Sequence, residues 1–101
     1  MGRKLKITVL KRDLYKDLVE EYSTNKSIEA CEMFEDGQVF ILDGADKPEG
    51  FCSWAWADLH RDFIAVLFGA NYSWINRKNT IISCCTDGLR PVTFKIEGVD
   101  E

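Results

Sequence analysis

Residues 4 to 11, KLKITVLK, place Leu5, Ile7 and Val9 on one side of an extended chain and Lys4, Lys6 and Thr8 on the other. A period of two predicts a strand with one face buried. The period then lengthens. Leu14, Leu18, Val19 and Tyr22 recur three or four apart, predicting a helix capped by Asp13 and running through Tyr22, with the polar stretch Ser23 to Ser27 ending it. Beyond an acidic connection from Cys31 to Asp36, Gly37 opens the run Val39-Phe40-Ile41-Leu42, which is apolar on both parities. Such a run reads as a strand covered on both faces or placed centrally in a sheet.

Asp43 to Gly50 carries the strongest loop signal, and Asp46 with Glu49 three residues later resembles a capping box, so a helix is expected to begin there. From Phe51 to about Gly69, the residues Cys52, Trp56, Leu59, Phe63, Val66, Leu67 and Ala70 follow a helical stripe, with Ser53, Asp58, Arg61 and Asp62 opposite. Gly69 supplies a stop, and residues 71 to 79 make a surface connection. Ile81 to Cys85 and Val92 to Ile96 read as a hairpin across Asp87-Gly88. The order β-α-β-α-β-β predicts an α+β fold: a small two-layer sandwich with a three- or four-stranded, mostly antiparallel sheet and helices on one face. Residues 1 to 101 read as a single domain without repeats or linkers. The runs at 39 to 42 and 81 to 85 are apolar on both parities, which favours a partner chain over the second sheet face and hence a homodimer.

Composition agrees with a chain that buries its own core: 101 residues, 46% hydrophobic and 12% aromatic. No apolar run is long enough to span a membrane, and the alternating start is not a signal peptide. Gly2 fails as a myristoylation site because Lys6 stands where that motif takes Ser or Thr. The cytoplasm is the expected address. There thiols stay reduced, so the four cysteines are not read as disulfides, and the sequons at Asn25 and Asn71 are read as chance.

The net charge of −4 hides an uneven distribution. Arg3, Lys4, Lys6, Lys11, Arg12 and Lys16 meet only Asp13 in the first 16 residues, whereas Asp17 to Asp62 holds twelve acids against Lys26, Lys47 and Arg61. That surplus would repel a phosphate backbone unless the basic strip stood alone on one face, so nucleic acid is not an expected partner. The lysines of the first strand also read as protection of a solvated edge.

Candidate chemistry rests on Cys31, Cys52, Cys84 and Cys85. They lack Cys-x-x-Cys spacing and paired histidines, so any zinc or iron site must come from convergence of all four in the fold. Adjacent residues of a regular strand face opposite ways, which separates Cys84 from Cys85 unless a bulge or early turn intervenes. Free cysteine is also a common small core residue. Cys52, expected in the first turn of the central helix, is the best single candidate for a reactive thiolate because unpaired N–H groups favour the anion; its place on the apolar stripe opposes this. The sole histidine, His60, lies about 12 Å along the same helix, too far to act as base for Cys52. No Ser-His-Asp spacing or phosphate-binding glycine loop occurs, so no catalytic residue is assigned and the reading leans away from an enzyme. Trp54 lies off the apolar stripe, where an exposed aromatic face suits a ligand or subunit.

The stretches KITVLKR, Cys31 through Gly37-Gln38-Val39-Phe40, PEGFCSWAW and CCTDGLRPVTFKI span nearly the whole chain. Together they resemble a family of small prokaryotic proteins of about this length with no assigned function. The resemblance implies an intact single domain and places all four cysteines within the matching blocks. It brings no reaction, cofactor or partner. Glu32 departs from the proline that many members carry after the first cysteine. Two functions therefore stand as expectations: a metal- or redox-responsive cysteine site, or a binding or assembly module with its cysteines in the core.

Overall fold

A computed structural model describes residues 3–44 and 46–100; Gly2, and Ala45 within the loop expected at 43 to 50, lie outside them. The two most regular alternating runs pair with each other. β1 (Arg3–Arg12) lies antiparallel to β4 (Val92–Asp100), with Ile7 opposite Ile96 and Val9 opposite Phe94. Cross-strand partners share a face, so Leu5, Ile7, Val9, Val92, Phe94 and Ile96 make one apolar surface, and all are fully buried. Two shorter strands flank this pair: β2 (Val39–Leu42) beside β1 and β3 (Thr80–Cys84) beside β4, giving the antiparallel order β2-β1-β4-β3.

β2 corrects the expectation drawn from its composition. It is an edge strand, neither central nor covered twice. Phe40 and Leu42 join the core face opposite Ile7 and Leu5, whereas Val39 and Ile41 are exposed on the other face. Apolar residues on both parities reported composition, not cover.

α1 (Lys16–Tyr22) starts later than the helical period suggests and has seven residues, of which only Val19 is buried. Asp13 does not cap it. The Asp13 N–H instead donates to the Pro91 carbonyl, and Tyr15 N–H to that of Leu89, so the segment is tied to the loop before β4. α2 (Ser53–Leu67) forms the helical layer, packing across β1, β4 and β3 through Ala55, Leu59, Phe63 and Val66. It begins at Ser53, after Asp46 and Glu49, with Cys52 at its N-cap. Its stripe is rotated from the expected one: Asp62 falls inside the buried face, at 7% exposure, while Cys52, Trp56 and Leu67 pack at the margin. Gly69, at φ 89°, ends the helix as its position suggests. Asn79, at φ 49°, completes that end by donating from Nδ2 to the carbonyls of Val66 and Ala70.

Between sheet and helix sits a group of aromatic rings. Phe34, from the connection before β2, meets Phe51 at 5.0 Å and Phe94 at 5.1 Å between centroids, and Phe51 lies 5.7 Å from Phe94. Phe34 is buried although no regular element carries it. Truncation of Phe34 to Ala should therefore cost about 3–5 kcal/mol of stability, read as a lowered midpoint in urea unfolding. Alanine at the exposed Tyr22 should leave that midpoint nearly unchanged.

Candidate functional site

β3 has no bulge: Ile82 pairs with Lys95, Ser83 with Phe94 and Cys84 with Thr93 in unbroken register. The ladder extends one residue further, where Cys85 N–H donates to the Val92 carbonyl at 3.1 Å. Regular geometry therefore sends Cys84 and Cys85 to opposite faces. Cys84 is exposed on the helix-free face, and Cys85 packs at the edge of the core, where its Sγ accepts a hydrogen bond from Val92 N–H at 3.4 Å. The adjacent pair does not act as a unit.

Cys85 instead faces Cys31 and Cys52 across a cavity of about 220 Å³. Each thiol arrives by a different local device. Cys52 is the N-cap residue of α2 but makes no side-chain cap, leaving its side chain to the cavity wall. Cys31 is held from below by Arg12. β1 carries a bulge between Val9 and Lys11, and the extra residue reverses parity, so that Arg12 pairs with Val92 and turns toward the core side. From there its guanidinium donates to the Cys31 carbonyl at 2.9 Å, the Phe34 carbonyl at 3.1 Å and Asp36 Oδ1 at 3.0 Å. One cation thus organises an otherwise irregular segment. Trp54 closes another wall. It is 62% exposed, yet its Nε1 donates to Thr86 Oγ1 at 2.8 Å, and Asp58 Oδ2 accepts both the Thr86 N–H and its hydroxyl. These bonds fix the start of α2 against the chain immediately after Cys85.

Asp87 and Arg90, from the connection that joins the hairpin across Asp87-Gly88, complete the wall. In the loop before β4, Asp87 Oδ1 accepts from the N–H groups of Leu89 and Arg90, and Asp87 Oδ2 lies 3.5 Å from the Arg90 guanidinium. Burial pushes the Asp87 carboxyl up, but the Leu89 and Arg90 N–H groups, followed by the Arg90 charge, outweigh it and hold the carboxyl below its ordinary value.

The fold does not bring all four cysteines together. Among the described residues, no group of three or more His, Cys, Asp or Glu is placed to hold a metal ion, and strand parity removes Cys84 to the other face. The other three thiols share a cavity without forming a ligand cluster. His60 is exposed, packs against the Trp56 ring and is not part of the cavity wall. The sequence pointed to all three cavity thiols and to exposed Trp54. It did not reveal Arg12, whose role depends on a bulge, or Met33 and Arg90, which enter through irregular loops.

The fold and the cavity define a small α+β domain with a thiol-lined pocket between its helix layer and one end of its sheet. Comparison with family models, curated proteins and solved structures finds no match. Among the described residues, no helix is long and apolar enough to cross a membrane.

The lowered Asp87 carboxyl sets a sign for acid sensitivity. A group held below its unfolded value stabilises the fold above that value, near 3.9 for an Asp, and loses the contribution as pH falls through the folded one. Urea unfolding between pH 5 and pH 2 should show Asp87→Asn less stable than the parent at the upper end. The difference should shrink toward the lower end.

Proposed function

We propose that the protein is a redox-responsive thiol module whose sensing residues are Cys31, Cys52 and Cys85. The observation that carries this reading is their meeting at one small cavity from a loop, a helix start and a strand end. The likeness of PEGFCSWAW and CCTDGLRPVTFKI to the small prokaryotic family belongs to the same proposal, since those two blocks supply Cys52 and Cys85.

The cavity's chemistry selects by size. Its wall is mainly apolar, and Arg90 is paired with Asp87, so neither a large nor a strongly charged oxidant is favoured. A small hydroperoxide fits. A thiolate sulfur attacks the peroxide oxygen, the O–O bond breaks, and the departing oxygen takes a proton to leave as water or alcohol while sulfur becomes a sulfenic acid. A second thiol then attacks that sulfur and gives up its proton, and hydroxide departs as water, leaving a disulfide. Two thiols lose two electrons to one hydroperoxide. A compartment that keeps thiols reduced at rest, such as the cytoplasm, lets this change carry a signal.

Two reagents of different size test the reading on native protein. A bulky, charged maleimide should label Cys84 first. Stoichiometric hydrogen peroxide, followed by intact mass and peptide mapping, should instead modify Cys31, Cys52 or Cys85 first, and Cys52→Ser or Cys85→Ser should slow that reaction about tenfold or more relative to Cys84→Ser. Oxidation confined to Cys84, or a rate indifferent to the cavity cysteines, would overturn the proposal.

A further inference from the structure

β3 is the outermost strand of the sheet beside β4. Asn79 accepts from Gly98 N–H, and Cys85 donates to Val92, so the odd-numbered positions turn their backbone groups toward β4. In an antiparallel ladder the intervening residues direct both N–H and C=O outward. Thr80 is buried under the preceding loop, and Thr86 N–H is already taken by Asp58. Between them Ile82 and Cys84 present two donors and two acceptors that have no partner among the described residues. An uncovered edge of this kind is a template for another strand.

Beside that edge, on the helix-free face, lies an open groove of about 620 Å³. Leu10, at the β1 bulge, Ile82 and Trp74, 71% exposed, supply its apolar surface, and Arg77 and Lys95 supply its charge. Lys95 is paired with Glu97 at 3.2 Å, whereas Arg77 has no carboxylate partner among the described residues. We propose that the β3 edge and this groove form a docking site for an extended peptide segment of another protein, one carrying an apolar residue flanked by Asp or Glu.

The division of labour follows from geometry. The edge amides of Ile82 and Cys84 bind main chain whatever the sequence. Alternate side chains of the added strand then fall on the helix-free face, where one apolar side chain meets Ile82 and Trp74 at the near end of the groove. An adjacent carboxylate meets Arg77 in a charge-assisted hydrogen bond. A second copy of this chain fits less well, because it would bring its own Arg77 to the same groove instead of a carboxylate. Single-stranded nucleic acid also fits less well. It stacks on successive aromatic faces, whereas this groove offers one tryptophan among aliphatic side chains. Two of the face's lysines are already neutralised, Lys95 by Glu97 and Lys4 by Asp43.

The test uses the full chain and an array of short peptides that alternate Asp or Glu with Val, Ile, Leu or Phe. Matching Lys/Arg peptides, a mixed-sequence single-stranded oligonucleotide and sedimentation of the protein alone provide the other arms. Acidic peptides should bind saturably and slow amide exchange at Ile82 and Cys84. Arg77→Glu should weaken binding about tenfold or more. Cys84→Pro should abolish it while leaving the β4 ladder intact, because the lost N–H points outward; unchanged far-ultraviolet circular dichroism checks the fold. Should that variant misfold, the exchange data and Arg77→Glu decide the matter. Absence of acidic-peptide binding, equal binding of basic peptides, binding without protection at Ile82 and Cys84, preference for the oligonucleotide, or self-association through this edge would overturn the proposal.

Discussion

The contact among Phe34, Phe51 and Phe94 is the constraint on which both the core and the cavity depend. Each ring stands close in sequence to a cavity thiol or its partner. Phe34 follows Cys31 by three residues, Phe51 precedes Cys52, and Phe94 lies two residues beyond Val92, whose N–H binds the Cys85 sulfur. Packing the three rings edge to edge and offset, arrangements that aromatic pairs favour, thereby carries the three sulfur-bearing segments to one place. The cavity is a by-product of core formation, lined by what the aromatic cluster leaves beside it. This explains how an irregular connection such as residues 23–38 supplies a defined wall. Phe34 anchors it by burial, and Arg12 satisfies two of its carbonyls.

The elements that were legible in the sequence are those whose pattern is local. β1 and β4 announced themselves by strict alternation, and α2 by a helical stripe, because in each case one face meets the core and the other does not. What escaped depends on neighbours the pattern does not name. Val39 and Ile41 resembled the residues of a covered strand, but cover is a property of sheet order. Asp62 looked solvent-facing because the stripe was centred toward Trp56, when the sheet contacts centre on Ala55, Leu59 and Phe63. A rotation of about half a residue position, roughly 50° around the axis, suffices to bring a carboxylate from the margin into the buried face, while Leu59, Phe63 and Val66 stay common to both stripes.

The candidate site divides along the same line. That a regular strand turns only one member of the 84–85 pair toward Cys52 on the helix was readable from strand parity; that Cys31 would line the same cavity was not. Which member, and whether the pair bulged, was not either. The deciding bulge lies in a different strand, at Val9 to Lys11, where it turns Arg12 inward and leaves Leu10 exposed at the groove. One inserted residue therefore shapes both surfaces: the clamp beneath Cys31 on one side and an apolar wall on the other.

β3 joins these surfaces and keeps them chemically distinct. To bring Cys84 and Cys85 onto one face, the chain would have to break the Cys85 N–H bond to Val92 and rotate a residue that the Thr86–Asp58–Trp54 bonds hold from the other side. Each such bond contributes roughly 1 kcal/mol, and they fail together because they restrain the same few residues. Two neighbouring thiols thus act in separate environments. Cys85 lines the cavity at the core edge, and Cys84 stands exposed on the helix-free face. Separation by strand parity costs the fold nothing beyond the ladder it already makes, so the adjacent pair keeps its two environments without any further constraint on the chain.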